Sequence, residues 1–148
     1  MLRIKNRTKN ERGATLVEFA ISATVFLTAM FGVLEFGRAM WAHNALTDAA
    51  RRGARYATLN TTASSAQVKN VVVFGNPGGT GSPMLNNLST ANVDVSYDGF
   101  GLNNGTVSVS ITNYQFQLVI PIIGTNITMP SYKTTLTAES AGLTPPNI

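Results

Sequence analysis

Cysteine is absent from the chain, so no disulfide, thiolate metal site or cysteine nucleophile can be built from it. Charge is scarce as well. Asp, Glu, Lys and Arg make up 12% of the residues, where ordinary soluble domains carry about 25%. A chain so poor in charge, with 44% hydrophobic residues, needs lipid or partner proteins to cover part of its length. Histidine occurs once, at His43, with no second histidine or carboxylate at ligand spacing. It reads as a solvated helical side chain, and no metal site is expected. The turn-rich stretch 75–83 has glycine and proline but no Gly-Lys-Ser/Thr and no following helix, so it does not read as a phosphate cradle. Titratable residues form no cluster of the kind catalysis needs. The expectation is a protein that is not an enzyme, with no cofactor and no small-molecule substrate.

The net charge of +4 hints at nucleic acid until it is located. Arg3, Lys5, Arg7, Lys9 and Arg12 face Glu11 alone, so residues 1–13 hold the entire excess and the remainder is balanced. A nucleic-acid module carries its basic patch on the folded part. No nucleic-acid partner is expected here.

Behind that basic stretch lies an apolar segment from Ala14 to Gly37, interrupted only by Glu18 and Glu35. A bilayer span takes roughly 20 predominantly apolar residues, so the segment suffices if both glutamates sit near the interfaces. The competing reading, a buried core helix, lacks enough remaining chain to wrap it. Basic residues cluster before the span, which places the N-terminus in the cytoplasm and everything after residue 38 outside. A cleaved secretory signal has a shorter apolar core and a small-residue site behind it. Here the pattern runs on instead: residues 38–59 hold alanine and leucine at helical spacing, lack proline, and place Asp48 three and four residues before Arg51 and Arg52. One helix over 14–58 follows, roughly 65 Å long at 1.5 Å per residue.

Small residues recur at every fourth position of that helix. Ala20, Thr24, Thr28 and Gly32 form a row within the span, and Ala45, Ala49, Gly53 and Ala57 form another beyond it. Such rows let helix backbones approach closely, although alanine is common in any helix. Glu35 and Arg38 are spaced to pair at the outer interface, with Trp41 just beyond. All three read as anchors of helix depth.

Residues 12–19, Arg-Gly-Ala-Thr-Leu-Val-Glu-Phe, join a glycine at the end of a basic leader to a lone carboxylate inside an apolar run. A carboxylate in that setting is costly and marks function. The arrangement resembles the processing site of type IV prepilins. With Phe31-Gly-Val-Leu-Glu-Phe-Gly-Arg38 and the run from Asn44 to Ala57, the resemblance extends to the TadE-like pseudopilins of the tight-adherence (type IVc, Flp) pilus system. Tyr114-Gln-Phe116 followed by Pro121 and Gly124 is similar to that family's C-terminal region. The resemblance implies cleavage by a prepilin peptidase between Gly13 and Ala14, with Glu18 and Phe19 near the new terminus as assembly residues. The freed α-amino group of Ala14 would be largely cationic at neutral pH. A neighbouring subunit's amine can meet the Glu18 carboxylate where an unpaired charge is expensive. The alternative for Glu18 is snorkelling to the headgroups.

From Asn60 onward the composition turns to Asn, Thr, Ser and Gly. The stretch 58–67 reads as a helix stop and loop, and Lys69–Phe74 as a strand or a short helix ending in one. Alternation predicts strands over 92–97 and 106–112, the latter continuing through Phe116 and Leu118 after a slip near Asn113, and over 131–138. Asp94 and Asp98 leave a calcium site open.

The expected fold is α+β: one long N-terminal helix packed on a small antiparallel sheet, pilin-like. The expected division is a leader over 1–13, a helix over 14–58 (membrane-spanning over 14–37, extracytoplasmic over 38–58) and a β-rich extracytoplasmic domain over 59–148. The expected function is a structural or assembly subunit of a tight-adherence pilus, a minor pseudopilin. It would sit in the bacterial inner membrane beside other pilins or pseudopilins and enter the pilus at the cell surface. Alternatives are a major filament subunit and a single-pass anchored periplasmic binding domain that never enters a filament.

Overall fold

The computed structural model describes residues 8–60, 64–99, 105–119 and 126–137, with side chains from residue 13 onward. Its elements are α1 (Thr8–Leu59), α2 (Ser65–Phe74), a single 3-10 turn (Thr90–Asn92), then β1 (Val93–Asp98), β2 (Thr106–Ile111), β3 (Gln115–Gln117), β4 (Asn126–Thr128) and β5 (Tyr132–Thr137). The chain divides into two compact units, residues 1–38 and 39–148. The architecture is α+β, as the alternation of patterns suggested.

Within residues 1–38 the described structure is helix throughout from Thr8. It begins earlier than Ala14, because residues 8–13 contain no proline and so nothing that forbids a helix. Gly13 lies inside it at the ordinary cost of a helical glycine, about 1 kcal/mol.

Residues 39–148 form the domain with a core. Along the α1 part of this unit, Ala42, Leu46, Ala49, Ala50, Ala54 and Ala57 are buried. Their three- and four-residue spacing makes one continuous stripe. Behind it stand Val68, Val72 and Val73 of α2 and Val107, Val109 and Ile111 of β2, all fully enclosed. The sheet is antiparallel in the order β1-β2-β5. Its register pairs Val95 with Val109, and Val109 in turn with Thr134. Alternation in β2 is complete: Val107, Val109 and Ile111 point to the helices while Thr106, Ser108 and Ser110 point away.

α2 decides for the helix of the two alternatives left open over Lys69–Phe74, and it begins at Ser65, inside the stretch expected as a loop. Its three consecutive valines favour a strand by local preference. Two caps and burial override that preference. Ser64 accepts a hydrogen bond from the Gln67 backbone N–H at 3.3 Å, and the Gln67 side chain accepts from the Ser64 N–H at 3.0 Å. This reciprocal pair satisfies two amides that a helix start leaves without partners. At the other end Gly75 adopts a left-handed conformation (φ 76°) and donates its N–H to Val71 O at 3.0 Å, a geometry that glycine reaches without strain.

The slip in alternation near Asn113 has a physical cause. Asn113 has φ 56°, a left-handed step that asparagine tolerates. The Asn92 side-chain amide donates to the carbonyls of Thr112 and Asn113 at 3.2 Å each and holds the bend. The chain therefore leaves the first sheet, and β3 pairs with β4 in a separate two-stranded sheet. Phe116 still points into the core, and Tyr114 donates from its hydroxyl to Asn86 O at 2.9 Å. Pro121 and Gly124 lie outside the described residues.

Gly53 sets how closely α1 approaches its neighbours. A Cβ built there would overlap Val72 Cγ2 and come within 3.4 Å of Val109 Cγ1. Val72 is fully buried and stiff about χ1, so it has nowhere to turn. Gly53→Ala is expected to destabilise the domain by about 1–3 kcal/mol, the usual cost of overpacking. Val72→Ala in the same chain should recover part of that loss. Thermal unfolding of the full chain in detergent, followed by near-ultraviolet dichroism, checks both. An unchanged melting temperature for Gly53→Ala would contradict the packing described.

Candidate assembly surface on the N-terminal helix

The described helix of residues 13–38 has no core of its own. Leu16, Phe19, Val25, Phe26, Val33 and Phe36 are each exposed by 65% or more. At 100° per residue these six cover one half of the circumference, and the exposed Val17, Ile21 and Phe31 cover the other half. A helix apolar on every side is a membrane-span pattern rather than the one-sided stripe of a surface helix. The helix is long and apolar enough to cross a bilayer, and none of its most apolar window is buried within the chain. Ala20, Thr24 and Thr28 are all exposed. Thr24 turns its hydroxyl back onto Ala20 O at 2.8 Å, a bond that would satisfy the group in a hydrocarbon environment. A Cβ at Gly32 would meet nothing within 4 Å, so this row is an open groove along the helix.

Glu18 is exposed and has no partner among the described residues. It lies one turn beyond Ala14 on the same helix. Gly13 is also exposed, with open space where a side chain would stand. Further along, Arg38 donates to Glu35 at 2.6 Å, and Trp41 is 62% exposed.

The second small row behaves differently. Ala49, Gly53 and Ala57 are enclosed and Ala45 is half-buried. They lie against the chain's own α2 and sheet. Sequence spacing could not separate this use from an intermolecular one, because both require the same small residues.

His43 has a partner that the sequence did not reveal. Its Nδ1 lies 3.0 Å from the Tyr132 hydroxyl, and the two rings meet edge to face at 5.1 Å. The pair ties α1 to β5 across a long stretch of sequence, so no local pattern announces it. The Tyr132 hydroxyl titrates above the ordinary tyrosine range because burial disfavours the phenolate, with the Tyr114 charge adding to the effect. Burial raises Tyr97 as well. Asp94 and Asp98 both point outward from β1. Four residues of strand separate their Cα atoms by about 13 Å, too far to share one ion. Among the described residues, no three His, Asp or Glu side chains gather as metal ligands.

A helix long and apolar enough to cross a bilayer, followed in the chain by a small α+β domain, fits the class of single-pass, membrane-anchored proteins. Residues 13–55 match the family model described as TadE-like protein. That match supports a pilin-like protein associated with a tight-adherence pilus, a structural rather than enzymatic family. It covers the span and the first part of the domain helix, and the sheet lies outside it. No curated protein and no solved structure matches the chain.

The two tyrosines give a pH dependence with a definite sign. Their folded-state pKa values exceed the unfolded one, so the folded state favours the neutral phenol. The corresponding stability is complete below about pH 10 and is lost as pH rises through the higher folded values. The domain's melting temperature should therefore fall on alkaline titration, and Tyr132→Phe should flatten part of that fall. A melting temperature that holds steady or rises on alkaline titration would contradict the assignment.

Proposed function

We propose that this protein is a minor pseudopilin of a tight-adherence pilus. A prepilin peptidase cuts after Gly13, and the mature chain packs with other pilin-like subunits through its N-terminal helix. One observation carries this reading. The helix that matches the TadE-like family is apolar on all sides, and over residues 13–38 its apolar side chains stay exposed among the described residues. Lipid and neighbouring helices are the two environments that accept such a surface.

The remaining features fit the same role. Five basic residues before the span favour a cytoplasmic N-terminus in the inner membrane, with residues from about 38 onward in the periplasm. Gly13 lies at the junction of the basic and apolar segments. Cleavage there would leave Ala14 with a free amine one helical turn from Glu18. In a filament, the amine of one subunit and the Glu18 carboxylate of the next would neutralise each other, so that the apolar contact forms without an unpaired charge. The groove along Ala20, Thr24, Thr28 and Gly32 then admits the backbone of an adjacent helix. Glu35, Arg38 and Trp41 hold the helix at its depth.

N-terminal sequencing of the chain from cells with and without prepilin peptidase tests the processing step. Mature chains should begin at Ala14 only when the peptidase is present, and Gly13→Ala should leave the leader attached. Removing one partner from a buried ion pair costs about 3–5 kcal/mol. Glu18→Gln should therefore be processed normally and yet be lost from the assembled pilus fraction. Chains that keep Met1 in both strains would overturn the reading.

A further inference from the structure

Unit 39–148 carries opposite unpaired charges on two opposite faces. On α1, Arg51 and Arg55 are exposed and have no partner among the described residues, whereas Arg52 pairs with Asp48. Gly53 faces α2 and β2. Residues two places before and after it on a helix point nearly the other way, since each step turns about 100°. The two guanidinium groups therefore leave the domain on the side away from the sheet. On β1, Val93 and Val95 turn inward while Asp94 and Asp98 turn outward. Both carboxylates are exposed and have no partner among the described residues. They stand on the sheet face that points away from the helices. Lys133 shares that face, in register with Asp94 through Ser110, and leaves the carboxylates in excess there. Around them the face is hydroxyl-bearing, with Ser96, Ser108 and Thr135 in one row.

We propose that a second copy of this chain is the partner, with Arg51 and Arg55 of one copy docked on the Asp94 and Asp98 face of the next. The proposal extends the pilin-like reading, on which it rests only in requiring copies to lie side by side. Each copy supplies both halves of the contact on opposite sides. Such a head-to-tail interface leaves one half of the contact free on each end copy and so repeats from copy to copy, into a ring or an open row. Exposed ion pairs contribute little affinity one by one, but they steer and set register. Anchoring in one membrane supplies the high local concentration that weak contacts need.

The absence of cysteine makes the test direct. Full chains bearing Arg55→Cys and Asp98→Cys are co-expressed, and isolated membranes are treated with a short bis-maleimide linker. Ala20→Cys serves in a parallel sample as the probe of helix contacts. The expected result is a mixed Arg55→Cys/Asp98→Cys product without either like-with-like product. Most of that product should be lost when Arg51→Glu is added to the first chain, and it should return when Asp94→Arg is added to the second. Absence of the mixed product, only like-with-like products, or a yield indifferent to the charge reversals would overturn the proposal. If Ala20→Cys links helices while the mixed product is missing, the docking proposal falls and the pilin-like reading survives. If neither forms, the docking proposal falls, and the pilin-like reading stands or falls on the N-terminal sequencing.

Discussion

An apolar helix surface with no protein over it has to be solvated by hydrocarbon or by other helices, and the described helix over residues 13–38 is such a surface. Exposure of 65–72% at Phe19, Val25, Phe26, Val33 and Phe36 would be prohibitive in water. The rest of the protein's design follows from this constraint. Backbone groups there must be satisfied within the helix, which excludes a break. Polar side chains must find a partner in the same segment, as Thr24 does on Ala20 O and Arg38 on Glu35. Glu18 has none among the described residues, which is why the proposed assembly places a neighbour's amine there.

The same element answers a second demand in the unit that starts at Ala39. There the helix carries alanine and glycine where the first segment carries phenylalanine and valine. Small side chains permit the close approach of α2 and β2 at Gly53, and the domain gains a dense core from residues that bury little area each. Valine supplies the other side of that core, from α2 and from β2. His43 and Tyr132 then tie the helix to the far edge strand. Valine and alanine cores have few rotamers to choose from, so a single added methyl at Gly53 has no soft neighbour to displace.

Charge follows a related logic. The domain is nearly neutral, yet its neutrality is not made of internal pairs. Asp48 and Arg52 bond each other, while Arg51 and Arg55 remain on the helix and Asp94 and Asp98 on the sheet. Separation of this kind is unnecessary for stability, since exposed pairs add little either way. It does give two sides of one small body opposite charge, the feature on which the proposed docking of copies rests.

How much of this could be read before the fold was known differs from residue to residue. Hydrophobicity and charge placement along one dimension announced a long helix, apolar enough in its first half to cross a bilayer, and antiparallel strands near 92–97, 106–112 and 131–138, because length, period and turn residues are local properties. The TadE-like pattern that begins at Gly13 is likewise contiguous, and so was visible in the sequence. The tertiary structure alone decided the matters that depend on distant residues. It turned three consecutive valines into α2 by capping both ends and burying one side. It sent β3 to a different sheet at Asn113. It gave His43 a partner eighty-nine positions away, and it enclosed one of two look-alike small rows while leaving the other open. Sequence states which surfaces are able to pack. Which of them find a partner within their own chain is fixed only when the chain folds back on itself.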